Sequence, residues 1–198
     1  MAPTLRIEDI IEGKVSFEII ILLFFCFYIP ANSSPKDKVI SQMKLTNNLS
    51  FNFIQTIDDK NEDGKCIIEY PKKIFCEYSN PSKKVLVSNG KSLVIKTSNK
   101  GSYYRYPLNK TPLEFLLDKE YLISKIEELE PRDIANKYLN FSIFENNNEI
   151  NIFFDKKDLN LIGWQTEDIY QNLSITFITS VKKNQEIDNK IFKLPENN

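Results

Sequence analysis

Residues Lys65–Pro81, KCIIEYPKKIFCEYSNP, decide how the rest of the chain is read. Pro71 lies near their middle, and proline cannot donate to a sheet ladder, so two strands flanking a turn are expected there. If the pairing mirrors about Pro71, then Cys66, Ile68, Tyr70, Ile74, Cys76 and Tyr78 share one face. Glu69, Lys73 and Glu77 share the other. A slip of one residue would mix these charges with the apolar set, so the mirrored register is expected. It sets Cys66 opposite Cys76. An oxidising compartment lets the two join, the tightness of a directly cross-strand bond opposes it, and both outcomes stand open.

The same alternation continues on both sides. Downstream, KVLVSNGKSLVIKTS (84–98) reads as a second hairpin with Asn89-Gly90 as its turn signal, and SYYRYPL (102–108) adds a short strand. Upstream, SFNFIQTI (50–57) places Phe51, Phe53, Gln55 and Ile57 on one face of a strand, and DDKNEDG (58–64) reads as a polar loop. Before it, Ser34 as cap, Pro35 at the first position and Val39, Ile40 and Met43 at helical spacing predict an amphipathic helix to about Asn47. Toward the C-terminus, KYLNFSIFENNNEINIFF (137–154) and LNLIGWQTEDIYQNLSITFITSV (159–181) read as two more hairpins. EIDNKIFKLP (186–195) is expected to make a short turn and a final strand.

Two helices interrupt this pattern. In TPLEFLL (111–117), Thr111 is placed to cap, Pro112 suits the first helical position, and Glu114 stands where a capping box wants a carboxylate. Leu113, Phe115, Leu116 and Leu117 cover more than one stripe, so this helix must be buried on several sides or cover something apolar. EYLISKIEELE (120–130) follows with Leu122, Ile126 and Leu129 at helical spacing. Ten to eleven antiparallel strands with three helices cannot be sheathed on both faces. The expected fold is therefore mainly β with α: one strongly curved sheet with helices packed into its concave side.

The chain has 198 residues, 41% of them hydrophobic and 27% charged, which fits one folded domain. Its formal charge of −1 argues against nucleic acid as a partner. There is no histidine, so the commonest general base and metal ligand are both absent from the sequence. No Walker loop, nucleotide-binding glycine fingerprint or CxxC occurs, and the carboxylates sit mostly beside lysines on expected outer faces. No cofactor, metal or catalytic residue is expected. The 14 Phe and 9 Tyr are plentiful on the inferred inner faces, where Trp164 joins them. Such a supply fits a filled core or a lined cavity equally well.

Near the N-terminus, IIILLFFCFYIPA (19–31) is shorter than the ~20 residues of a membrane span. It reads as a secretory signal over residues 1–31 cleaved near Ala31, leaving one domain over 32–198, with an uncleaved anchor as the alternative. Phe24 and Phe25 precede Cys26, where a lipidation signal needs a small residue, so Cys26 is not expected to carry lipid.

In order from about Lys36 to Pro195, the opening helix followed by SFNFIQ, the Gly64 hairpin with Pro71, VLVSNGKSL, TPLEFLL, LIGWQTED and FKLP resemble the periplasmic outer-membrane lipoprotein carrier family, LolA. The resemblance implies an incomplete, open antiparallel β-barrel with helices forming a lid over a hydrophobic cavity. It implies a monomer that receives triacylated lipoproteins from an inner-membrane ABC transporter and passes them to an outer-membrane receptor. Strand parity then points to Phe51, Phe53, Ile68, Ile74, Leu93 and Ile95 as cavity lining, with Leu113, Leu116 and Leu117 on the lid. Members of that family usually carry an arginine just before the hairpin proline, where it bonds toward the lid. Here the place is Tyr70, which offers one hydroxyl from the inner face. A binding protein of the same fold for another lipid or glycolipid, and a non-binding secreted β domain, are the competing readings.

Overall fold

The structure, a computed structural model, describes residues 33–79, 81, 83–97, 101–145, 148–167 and 171–196. The expected signal segment and Cys26 lie outside them. Helix α1, Pro35–Leu45, begins with Ser34 and Asp37 in a reciprocal capping box, so two end amides that lack intrahelical partners are satisfied. Strand β1 (Asn48–Ile57) follows and pairs with β2 (Lys60–Glu69) along its whole length. The polar loop expected over 58–64 is only the two-residue turn Asp58-Asp59. Both residues adopt positive φ (48° and 60°), which aspartate tolerates and a tight hairpin demands. The polarity of 60–63 belongs to a solvated strand end instead.

Strand β3 (Lys73–Tyr78) pairs with β2 in the mirrored register, Cys66 facing Cys76 and Ile68 facing Ile74. The peptide bond before Pro71 is cis. Strands β4 (Val85–Asn89), β5 (Ser92–Lys96) and β6 (Tyr103–Pro107) complete one half of the sheet. At the β4–β5 turn the Asn89 side chain accepts from the amides of Lys91 and Ser92, and Gly90 takes φ 93°. After β6 come a 3-10 turn (Leu108–Lys110), the one-turn helix α2 (Leu113–Leu116) and helix α3 (Lys119–Glu128), capped by Asp118. The second half consists of β7 (Arg132–Ile134), β8 (Tyr138–Glu145), β9 (Asn148–Asp155), β10 (Leu161–Glu167) and β11 (Leu173–Lys183).

All eleven strands belong to one antiparallel sheet in the order β6-β5-β4-β3-β2-β1-β11-β10-β9-β8-β7. The sheet is open: β6 and β7 are its two edges, and α2 and α3 lie on the connection that runs from one edge to the other. This is an incomplete barrel with a helical lid. The inner faces of the strands and the apolar sides of α1, α2 and α3 bury one continuous core, from Phe51, Ile68 and Phe141 to Val39, Leu117 and Ile126. The expected final strand is not formed. Residues Asn189–Phe192 make a 3-10 turn, and Phe192 is buried against the outer side of the sheet near β3 and β4, with Lys73 Nζ 5.5 Å from its ring. The eleventh strand is the short β7, which follows Pro131 and belongs to none of the expected hairpins.

The candidate lipid-binding cavity and its lid

Register determines what the hollow of the barrel contains. At one end, Ile68 and Ile74 face each other beside the Pro71 turn; moving away along the strands come the Cys66–Cys76 pair and then Gly64 beside Tyr78. The two sulfurs are bonded and the Cα atoms stand 4.1 Å apart. Gly64 is required there, because a Cβ would lie 2.1 Å from the Glu77 carbonyl oxygen and 2.9 Å from the Phe53 ring. The Phe53 ring meets Tyr78 edge-on, with centroids 5.0 Å apart.

Two apolar cavities lie between sheet and helices. The larger, about 420 Å³, is lined by Phe53, Leu93 and Ile95 of the expected set, by both cysteines, and by Leu86, Tyr104 and Tyr106. The smaller, about 50 Å³, is lined by Ile68, Tyr70, Leu116 and Leu117 together with Val39 and Met43 of α1. Ile74, Leu113 and Trp164 line both and stand between them. Phe51 lines neither; its ring meets Trp164 edge-on at 6.1 Å and backs that wall. A volume of about 420 Å³ lies within the ~300–1,000 Å³ typical of small-molecule sites.

Residues that the sequence reading did not assign to the site form its polar end. Gln55, Tyr78, Thr166, Ser174 and Thr176 all line the larger cavity. The signal lies in the alternation of Ser174, Thr176 and Ile178 along one strand, which sets two hydroxyls on the inward face.

The lid is tied down from the Pro71 turn. The Lys72 amide donates to the Leu117 carbonyl (2.8 Å), while its Nζ reaches Glu114 (2.6 Å) and Asp118 (3.2 Å). These bonds, with Glu114 contributing more than Asp118, raise the Lys72 pKa. The capping box expected at Thr111 and Glu114 is therefore not made. Thr111 Oγ1 instead donates to the Leu108 carbonyl (2.8 Å), closing the preceding 3-10 turn. Tyr70 lines the smaller cavity beside the lid, but its hydroxyl finds no hydrogen-bond partner among the described residues. Burial pushes its pKa up to about 12. Two further lysines bind the helices together: Lys119 Nζ donates to the Thr46 carbonyl (3.0 Å) and Lys36 Nζ to that of Leu129 (3.0 Å).

Among the described residues, no group of three or more acidic, cysteine or histidine side chains is placed to hold a metal ion, and no helix is long and apolar enough to cross a membrane. Fold and site together define a protein built around an apolar cavity under a tethered helical cover. The family model for the outer membrane lipoprotein carrier protein LolA matches residues 44–195, and the chain belongs to that family. The family is described as one of outer-membrane lipoprotein carriers. A search of curated proteins finds no match. Similar solved structures include a LolA superfamily protein from Nitrosomonas europaea, at 8% identity, TM-score 0.45, and covering 80% of this chain and 97% of that one. A conserved protein from Thermus thermophilus is also 8% identical, with TM-score 0.49 and coverage of 82% and 96%. An outer membrane lipoprotein-sorting protein domain from Vibrio parahaemolyticus is 6% identical, with TM-score 0.46 and coverage of 79% and 95%.

Proposed function

We propose that this chain carries lipid-modified proteins across the periplasm, taking triacylated lipoproteins from an inner-membrane ABC transporter and giving them up to an outer-membrane receptor. The observation that carries this reading is the cavity of about 420 Å³ bordered by Leu113 of the one-turn helix α2. Each methylene removed from water contributes ~0.8 kcal/mol, so free acyl chains need an escort between membranes. An escort must also let go. The chains enter where Leu113, Leu116 and Leu117 now pack, and the apolar contacts they gain are offset by those the lid gives up, which keeps net affinity modest. Lys72 sets the threshold for that exchange, because opening must break one backbone bond and two ion pairs.

Residues 1–31 serve in this reading as the export signal, and the remainder works as a monomer without a cofactor. The test uses inner-membrane vesicles holding a triacylated lipoprotein and the purified, delipidated protein. The lipoprotein is expected in the supernatant, in complex with this chain. Release no greater than with buffer would overturn the carrier. Co-purified lipid of another class without such release would favour a binding protein of the same fold.

A further inference from the structure

The larger cavity changes character along its length, and the change is written in the register. On β1 the inward positions run Phe51, Phe53, Gln55; on β10 they run Trp164, Thr166; on β11 they run Ile178, Thr176, Ser174. Gln55 pairs with Thr176, Trp164 with Thr176, and Thr166 with Ser174, so the polar side chains fall together across three neighbouring strands. They lie at the end that carries the Asp58-Asp59 turn, away from Pro71, Lys72 and the lid.

Their hydrogen bonds are partly spent. Gln55 Nε2 donates to Ser174 Oγ and Thr176 Oγ1, both at 3.2 Å, and Gln55 Oε1 accepts from the Tyr78 hydroxyl at 3.3 Å. Both amide hydrogens of Gln55 are thereby used. Ser174 and Thr176 are each more than nine-tenths buried and accept these bonds, yet neither donates its own hydroxyl hydrogen to a described group. Two spare donors thus face a cavity, and leaving a buried donor unmade is costly. The one cation lining the cavity among the described residues, Lys84, is already paired with Glu62 and lies 3.7 Å from the centroid of the Tyr78 ring. Glu167 adds a negative charge to the same rim.

We propose that the cavity seats an amphiphile in one direction, its acyl chain toward Leu113 and Trp164 and an uncharged ester-bearing head against Ser174 and Thr176. This deepens the carrier reading and rests on it, since it names the part of the ligand that the polar end holds. A glyceryl ester supplies acceptor oxygens to the two spare hydroxyls. A free carboxylate would meet Glu167 without an uncommitted cation to offset it, so fatty acid is disfavoured.

Trp164 is the single tryptophan and lines the cavity, so its emission reports occupancy. Monopalmitin, palmitate and an alkane of equal chain length are titrated separately into the delipidated protein at neutral pH. Monopalmitin is expected to bind about tenfold more tightly than either of the others, the worth of one to two net hydrogen bonds. In the double variant Ser174→Ala, Thr176→Val, its affinity is expected to fall to that of the alkane. Equal affinity for the three probes in the parent protein, or preference for palmitate, overturns the proposal while leaving an acyl-binding cavity in place. No response to any probe overturns both it and the carrier reading.

Discussion

Lys72 holds the lid from a position that no motif marks. It stands one residue beyond the cis proline, with φ 67°, and that left-handed turn aims its amide at Leu117 and its ammonium at Glu114 and Asp118. Lys72→Gln is expected to raise the binding of an apolar-surface dye to the empty protein. The loss is about 1 kcal/mol, because the ion pair keeps part of its contact with water. The raised pKa of Lys72 makes the tie complete below the ordinary lysine value of ~10.4 and weaker only as pH climbs through the higher folded value. Dye binding should therefore stay level between about pH 7 and 9 and rise in stronger alkali. Tyr70→Phe removes a hydroxyl that bonds nothing described, so the same dye assay should show no change. Gly64→Ala forces a methyl onto the Glu77 carbonyl and the Phe53 ring, and should lower stability by roughly 1–3 kcal/mol in urea unfolding.

Helix α2 shows how an element can be foreseen while its wiring is not. Its apolar body was legible in TPLEFLL, but leucines on several sides fit core packing as well as a cover, and the part of a lid came only from the family resemblance. Its caps were not, because Thr111 and Glu114 met stronger partners outside the helix: the Leu108 carbonyl and Lys72. The Pro71 hairpin was legible down to its register, since only one pairing keeps glutamate away from the core. The C-terminal segment was misread as a strand because Ile191 and Phe192 look alike for a strand or for a plug; only the Val87–Val94 surface on the outer side of the sheet decides between them. Within α2, Leu116→Asp places a charge where the lid meets the smaller cavity. Lipoprotein release from vesicles should drop sharply while far-UV circular dichroism stays close to the parent. A folded variant with unchanged release would remove Leu116 from the lid's working surface.

At the scale of the molecule, the first and last described strands lie side by side in the middle of the sheet, Phe53 opposite Ile178 and Ile57 opposite Ser174. Each half-sheet is built from hairpins between neighbours in sequence, and the Cys66–Cys76 bond closes one of them with a separation of 10 residues. Cutting that bond by reduction should cost up to ~3 kcal/mol, read as a lower denaturation midpoint with reductant than without. The seam between the halves is different in kind, since it waits for the last strand of the sheet. No length of chain emerging from a ribosome can complete the barrel until β11 is free, so folding is postponed until residue 183 has been made. Such long-range pairing is also slow, with refolding expected on the millisecond-to-second scale of β-rich domains. A chain stopped before Leu173 should show no cooperative unfolding transition by circular dichroism, although it keeps the sequence of every strand except β11. Under the export proposed for residues 1–31, the central seam acts as a timer: it keeps the polypeptide threadable for as long as threading lasts.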